Sequence, residues 1–522
     1  MYSTVYTGAV RGIESYLVQV EVDCSQGLPC FDMVGYLGNE VREARERVRV
    51  ALRNSGIRLP ASHVTVNLSP ADIRKEGTGF DLPIAIGVLI ALGQLPPEVT
   101  EGILFLGELG LNGEVRPVKG VLPIVREAAR QKYKCCIVPA DNLDEAVMVP
   151  DIKVHGATTL IDILSFLSHK DSAENLFSRK HSLGVSSKYN QKQGKENKQK
   201  NMDFADVNGQ ETVKRGAEVA AAGFHHMLMI GPPGSGKTMI AARLPGILPE
   251  LTEQESLEVT TIYSVAGELQ RTGGMIRERP FLSPHHTVTA LALTGGGNRI
   301  RPGLISLAHR GVLFLDEMAE FKRSTLDVLR QPLEEKRVQI SRQFGTYEYP
   351  ADFMLVGALN PCPCGYYPDR NKCRCTDTEI RRYLGRISGP ILDRMDLMVE
   401  TPALDFSEIL AERKNEGSSE IRERVLQARK IQKKRFTGTE LQSNADMKTV
   451  QVRKYCKLGL TEEQFLEKAF AAMHMSARGY HRILKVARTI ADLDHAGDIS
   501  KKHLAEAILY RKTDQKYWEE IR

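Results

Sequence analysis

Along residues 1–168, short apolar runs of strand length interleave with stretches of helical period. HVTVNL (63–68) alternates apolar and polar positions, as a strand with one buried face requires, while ILFLG (103–107) and KCCIVPA (134–140) are short β-like runs. Glu40 to Asn54 and VREAARQ (125–131) repeat apolar positions at helical spacing. This pattern predicts a compact α/β unit over 1–168. From about Ser168 to Lys200 large apolar residues nearly vanish, and SSKYNQKQGKENKQK predicts a basic, flexible linker over 169–200. Strand and helix alternate again over 201–400. After Thr401 the strand signals fade, and SEIRERVLQARKIQKKRF (419–436), SARGYHRILKVARTIADL (476–493) and SKKHLAEAILYR (500–511) predict a helical lid over 401–522. The longest apolar run, Leu82 to Gly93, is too short to span a bilayer, so no membrane partner is expected. MYSTVYTGAV has no basic residue before Arg11, which predicts no secretory signal and a cytoplasmic location.

Composition narrows this only a little. At 522 residues, 42% apolar and 26% charged, the chain is globular, with length for two to four domains. The net charge of +6 is unevenly spread: residues 169–200 carry 8 basic and 3 acidic side chains, and residues 401–522 carry 24 and 18. Such asymmetry permits a polyanionic partner without requiring one.

The chemistry begins at HHMLMIGPPGSGKTMIAARL (225–244). An apolar run enters Gly231-Pro232-Pro233-Gly234-Ser235-Gly236-Lys237-Thr238, which opens a helix, the context of a phosphate-binding P-loop. Its glycines turn backbone N–H groups onto the phosphates of ATP, Lys237 reaches the β and γ phosphates, and Thr238 ligates Mg²⁺. About eighty residues on, Gly311-Val-Leu-Phe-Leu ends in Asp316 and Glu317. Asp316 is expected to hold the Mg²⁺ and Glu317 to polarise the attacking water. FMLVGALN (353–360) ends in Asn360, either a water-orienting side chain or a turn residue. Arg394, between Asp393 and Asp396, is either a local ion pair or a finger for a neighbouring subunit's γ-phosphate.

Cys362, Cys364, Cys373 and Cys375 form two close pairs separated by eight residues. Four thiolates can bind a structural Zn²⁺ tetrahedrally; reduced thiols in a loop or a redox pair are the alternatives. Cys24, Cys30, Cys135, Cys136 and Cys456 have no metal-like spacing and are expected as buried thiols.

These motifs, with DFADVNGQ (203–210), SPHHT (283–287), GGGNRIRPG (295–303), NPCPCG (360–365) and LDRMDL (392–397), resemble the AAA+ ATPases, and more narrowly the Mg-chelatase-like family. The resemblance implies an AAA+ P-loop core over 201–400 with a parallel sheet, a helix-2 insertion at about 253–310, and the lid. It also implies Asn360 as sensor 1, Arg394 as an arginine finger in trans, Arg478 as sensor 2, and an adenine pocket at Asp206–Val207. An arginine acting in trans implies a homo-oligomeric ring, a hexamer. His285 and His286 are candidates for pore or intersubunit contacts, or packed loop residues.

SPADIRKEGTGFDLPIAIGVL (69–89) and GELGLNGEVRPVKGVLPIVREA (107–128) resemble the α+β, ribosomal-protein-S5-like proteolytic domain of Lon. Gly79 occupies the position of the nucleophilic serine and Leu122 roughly that of its lysine, so no dyad is present, although Lys75 and Lys119 are nearby.

Three functions follow. The first, implied by the narrower resemblance, is an ATPase ring driving helicase or branch-migration work on single-stranded or branched DNA during recombination or natural transformation. The others are a chelatase motor and a protein-remodelling or proteolytic machine. Loss of the dyad counts against proteolysis, and the Lon-like unit, with no DxSxS metal site, counts against a chelatase. Arg422, Arg424, Arg429, Lys430, Lys433, Lys434 and Arg435 make residues 421–436 either a phosphate-pairing face or a solvated helix.

Overall fold

The computed structural model describes residues 1–168, 202–269, 274–297, 300–342, 345–403, 415–473 and 475–518. The expected linker therefore lies outside the described residues, as do Asn298 and Arg299.

The N-terminal unit is built on a seven-stranded mixed sheet. In spatial order its strands are Cys30–Val34, Ser62–Ser69, Glu14–Gln26, Tyr2–Arg11, Ile103–Phe105, Cys135–Pro139 and Lys153–Ala157. The alternation in 63–68 puts Val64, Val66 and Leu68 into the core and turns His63, Thr65 and Asn67 away from it. The long apolar run becomes the helix Asp81–Ala91, buried at every position between the sheet and the helix Asn39–Asn54. It is apolar on all sides because it is covered on all sides. Its first residue, Asp81, is fully buried and holds Arg47 in a two-pronged pair, Nε–Oδ2 2.7 Å and Nη2–Oδ1 2.8 Å, while accepting the Leu109 N–H.

The central unit is a five-stranded, all-parallel sheet ordered Phe281–Leu282, Val312–Leu315, Met354–Leu359, Met227–Ile230 and Leu397–Glu400. Three of these strands are continuous apolar runs because helices cover both faces. Residues 253–310 form the helix Glu253–Ala266, then the edge strand Phe281–Leu282 of the sheet itself, and only afterwards a short helix and hairpin.

The helices Ser418–Arg435, Ala477–Leu493 and Lys501–Trp518 carry the C-terminal region. Val425, Ile483, Leu484 and Ala487 share one hydrophobic cluster with Val213, Ala217 and Met229 of the central unit. The helical region is thus packed directly onto the central unit. Among the described residues, no helix is long and apolar enough to cross a membrane.

Candidate nucleotide site and its surroundings

The P-loop follows Ile230, where the strand meets a wall. A side chain at Gly231 would place its Cβ 2.1 Å from the Thr401 carbonyl oxygen, so the chain turns there only as glycine. Gly234 and Gly236 take φ of +75° and +85°, and the helix Lys237–Ile247 starts at once. The loop thereby faces its N–H groups and the helix N-terminus toward one point.

Lys237 is nearly buried. Its amine donates to the Gly231 and Pro232 carbonyls at 2.8 Å and lies 3.3 Å from Ser235 Oγ and Asn360 Oδ1. Burial lowers its pKa to about 8, against the opposing pull of Asp316 and Glu317. Thr238 Oγ1 donates to Asp316 Oδ2 at 2.8 Å, and Asp316 Oδ1 accepts the Glu317 N–H at 2.9 Å. Glu317 turns out of the strand at φ +49°, a backbone region costly for a side chain larger than glycine, and this kink leaves its carboxylate exposed. His286 Nδ1 lies 3.7 Å from that carboxylate, and the His285 and His286 rings are 4.0 Å apart.

Sheet order explains this convergence. The strand ending in Asn360 lies between the P-loop strand and the strand ending in Asp316, so all three termini open on one edge. Lys237, Thr238, Asp316, Glu317 and Asn360 are brought together there, with the hydroxyl–carboxylate pair that a Mg²⁺ site needs.

Arg394 and Arg478 are not part of that group. Met227 pairs with Leu397 and Ile230 with Glu400, so Arg394, just before Leu397, sits at the opposite end of the sheet from the P-loop. It is tied to Glu334 and to the Pro390 carbonyl, and its Nε is buried with no partner. Arg478 is exposed in the first turn of Ala477–Leu493. Of the expected adenine pocket, Val207 is in the core, while Asp206 is paired to Arg243 at 2.9 Å. Gln210 is a further candidate that sequence reasoning did not single out. Its amide donates to Ser235 O and Pro402 O, and its Oε1 is buried with no partner. Only its place in DFADVNGQ hinted at such a role.

The cysteines gather directly behind Asn360. Their sulfurs lie 3.3 Å (362–364), 3.7 Å (362–373) and 3.6 Å (364–373) apart, and all four lie within 4.8 Å of one another. A Zn–S bond of about 2.3 Å places tetrahedral sulfurs about 3.8 Å apart, so the four residues fit the ion. Gly365, at φ +85°, lets the loop sit on the P-loop: a Cβ there would fall 2.4 Å from Pro233 Cδ.

Two expectations are corrected. Cys30 is exposed because it lies on the face of the N-terminal sheet turned from the core, while Cys24, on the core face near the end of its strand, is only partly covered. The basic face of residues 421–436 is also divided. Arg422 pairs with Glu250, Arg424 with Glu218 and Glu416, and Arg435 with Asp492, while Arg429 lies over the Phe224 ring. At 100° per residue the seven cations cannot share one face, and these arginines pin the helix to the protein. Lys430, Lys433 and Lys434 stay exposed.

In the N-terminal unit, the surroundings of Gly79 are apolar, with Leu106 and Val118 nearest, and Leu122 is fully buried. Lys75 is buried and donates to Ile73 O; Lys119 extends over Gly267, at the end of the helix Glu253–Ala266. That helix docks beside this region. Buried Glu145 accepts the Ser264 hydroxyl and the Leu122 N–H, Gly120 N–H donates to Ser264 O at 3.1 Å, and Leu257 packs into the local core.

Fold and site together define a Mg-chelatase-type AAA+ protein, a parallel sheet with a P-loop and a helical C-terminal region. A family model described as magnesium chelatase, subunit ChlI, matches residues 203–409, its C-terminal counterpart matches 415–511, and a model described as subunit ChlI of Mg-chelatase matches 20–142. Competence protein ComM of Haemophilus influenzae is 43% identical over 520 residues, covering 97% of both chains. Uncharacterized protein YifB of Escherichia coli is 42% identical, covering 98% of this chain and 97% of its own. Lon protease 2 of Bacillus subtilis is 27% identical over 39% of this chain and 41% of its own. The chain belongs to the ComM/YifB family of Mg-chelatase-like AAA+ proteins. The match over 20–142 also removes one argument against a chelatase, since a unit of this kind carries the ChlI description itself.

Proposed function

We propose that this protein is a ring-forming ATPase, a hexamer, that couples ATP hydrolysis to the remodelling of single-stranded or branched DNA, as a helicase or branch-migration motor. The observation that carries the ATPase is the convergence of Lys237, Thr238, Asp316, Glu317 and Asn360 on one sheet edge. In this reading the P-loop N–H groups and Lys237 bind the β and γ phosphates, and nucleotide draws the Lys237 amine off the loop carbonyls it now holds. Thr238 and Asp316 hold Mg²⁺, which neutralises charge on the phosphates. Glu317 takes the proton of the attacking water, and Asn360 orients that water.

Arg394 serves the γ-phosphate of a neighbouring subunit. Four strand residues separate the two ends of the sheet, about 13 Å at 3.3 Å each, beyond the reach of the chain's own site. Arg478 and the segment around Asp206 complete the nucleotide contacts from the lid and the adenine side. The four cysteines hold a structural Zn²⁺ that stiffens the loop behind Asn360 and Pro233.

DNA as substrate rests on kinship over nearly the full chain to a protein named for competence, with electrostatic support from the positive C-terminal region and Lys430, Lys433 and Lys434. The second reading, a chelatase-type motor, is favoured by the three ChlI matches. Proteolysis finds no support in the apolar surroundings of Gly79 and Leu122. Steady-state ATP hydrolysis without ligand, with single-stranded DNA, with duplex and with a four-way junction separates these, with Lys237→Ala as the blank. Stimulation strongest with branched or single-stranded DNA supports the motor; turnover indifferent to all DNA overturns DNA as substrate and leaves the chelatase reading.

A further inference from the structure

The strand Cys30–Val34 is one edge of the N-terminal sheet, and it runs parallel to Ser62–Ser69 with Cys30 opposite His63. Residues two apart on a strand share a face, so Cys30 and Asp32 project together, and the cross-strand partner His63 projects beside them. This is the face turned away from the core, because Phe31, Val64 and Val66 fill the other side. The three side chains meet. His63 Nε2 lies 2.8 Å from Asp32 Oδ2, Cys30 Sγ lies 3.3 Å from Asp32 Oδ1, and the three ligand atoms are all within 4.8 Å of one another.

We propose that Cys30, Asp32 and His63 form a second metal site, for a divalent ion of the zinc class, on the open face of the N-terminal sheet. One sulfur, one imidazole nitrogen and one carboxylate oxygen suit a borderline d-block ion, whereas Ca²⁺ and Mg²⁺ select oxygen sets. The carboxylate already contacts both other groups, so the ion replaces two hydrogen bonds without moving the strands. Three protein ligands on an exposed face leave the fourth position of a tetrahedron to water or to a donor from another molecule. The thiol donates to the Asp32 carboxylate and not to the imidazole, which separates this trio from a Cys–His nucleophile pair. The spacing is invisible in sequence: Cys30 and His63 are thirty-three positions apart and are joined only by strand register.

The test uses the full chain, stripped of metal with a chelator and titrated with Co²⁺, comparing wild type with Cys30→Ser and His63→Ala. The four-thiol loop is intact in all three proteins and contributes equally. Each variant is expected to bind one Co²⁺ fewer per chain, with unchanged ATP hydrolysis and far-UV circular dichroism. The Cys30→Ser protein is also expected to lose part of the thiolate-to-cobalt absorption. Equal Co²⁺ stoichiometry in wild type and both variants overturns the proposal.

Discussion

Lys237 is held by carbonyl groups of its own loop, and burial brings its pKa down to about 8. A bound triphosphate raises that pKa, so above pH 8 binding must take up a proton. ATP affinity is therefore expected to fall as pH rises from about 8, approaching tenfold per pH unit. Fluorescent-nucleotide titrations across pH check this, and Lys237→Arg should flatten the profile because guanidinium stays charged. Arg394 makes a different prediction from its place at the far end of the sheet. Arg394→Ala should keep ATP affinity within a few-fold and lower hydrolysis by about 10³-fold or more. Mixing it with Glu317→Gln protein should restore turnover, since a mixed ring contains sites with Glu317 on one subunit and Arg394 on the next. No recovery at any mixing ratio would remove the case for action in trans.

Single elements carry their own consequences. The helix Asp81–Ala91 buries a carboxylate at its first position, and Arg47 is its only cationic partner among the hydrogen bonds described. Arg47→Ala should destabilise the N-terminal unit by about 3–5 kcal/mol, because it strands a buried charge. Arg47→Ala with Asp81→Leu should recover part of that loss, and urea denaturation followed by proteolysis of the unit measures both. The Ser418–Arg435 helix shows why a run of cations is a poor guide to a binding surface. Its helical period sends Arg424 and Arg435 inward to Glu218 and Asp492, leaving the lysines outside. The cysteine loop touches Pro233, so if its four thiolates hold Zn²⁺ as proposed, a chelator should raise hydrogen exchange in the P-loop as well as in residues 360–376.

At the scale of the molecule, the N-terminal unit and the ATPase are joined where a Lon-type protease would place its lysine. Glu145 is satisfied by a backbone N–H at the start of one helix and by Ser264 from another. Glu145→Ala should loosen this junction, seen as faster hydrogen exchange in Glu253–Ala266, with the sheet of the ATPase unaffected. A junction unchanged in exchange would show that apolar packing by Leu257 suffices. This helix leads, through the edge strand Phe281–Leu282, to the loop that sets His286 beside Glu317. The same stretch of sequence thus contributes both to the docked junction and to the sheet edge that carries the P-loop.

Local chemistry was legible in the sequence wherever chemistry is local. The P-loop needs glycines at set positions within eight residues, Asp316 and Glu317 must end an apolar strand, and four cysteines within fourteen positions have few arrangements, so these were readable without coordinates. The family was readable for the same reason. Tertiary structure decided what depends on register, layer order and helical phase. The order of the parallel strands places Asn360 between Lys237 and Asp316, and Arg394 at the opposite end. The pairing of an edge strand with its neighbour joins Cys30 to His63 across thirty-three positions. Side-chain direction along the 418–435 helix decides which cations meet solvent. Such facts depend on which surfaces are buried against one another, and burial is a property of the assembled chain, not of any short stretch of it.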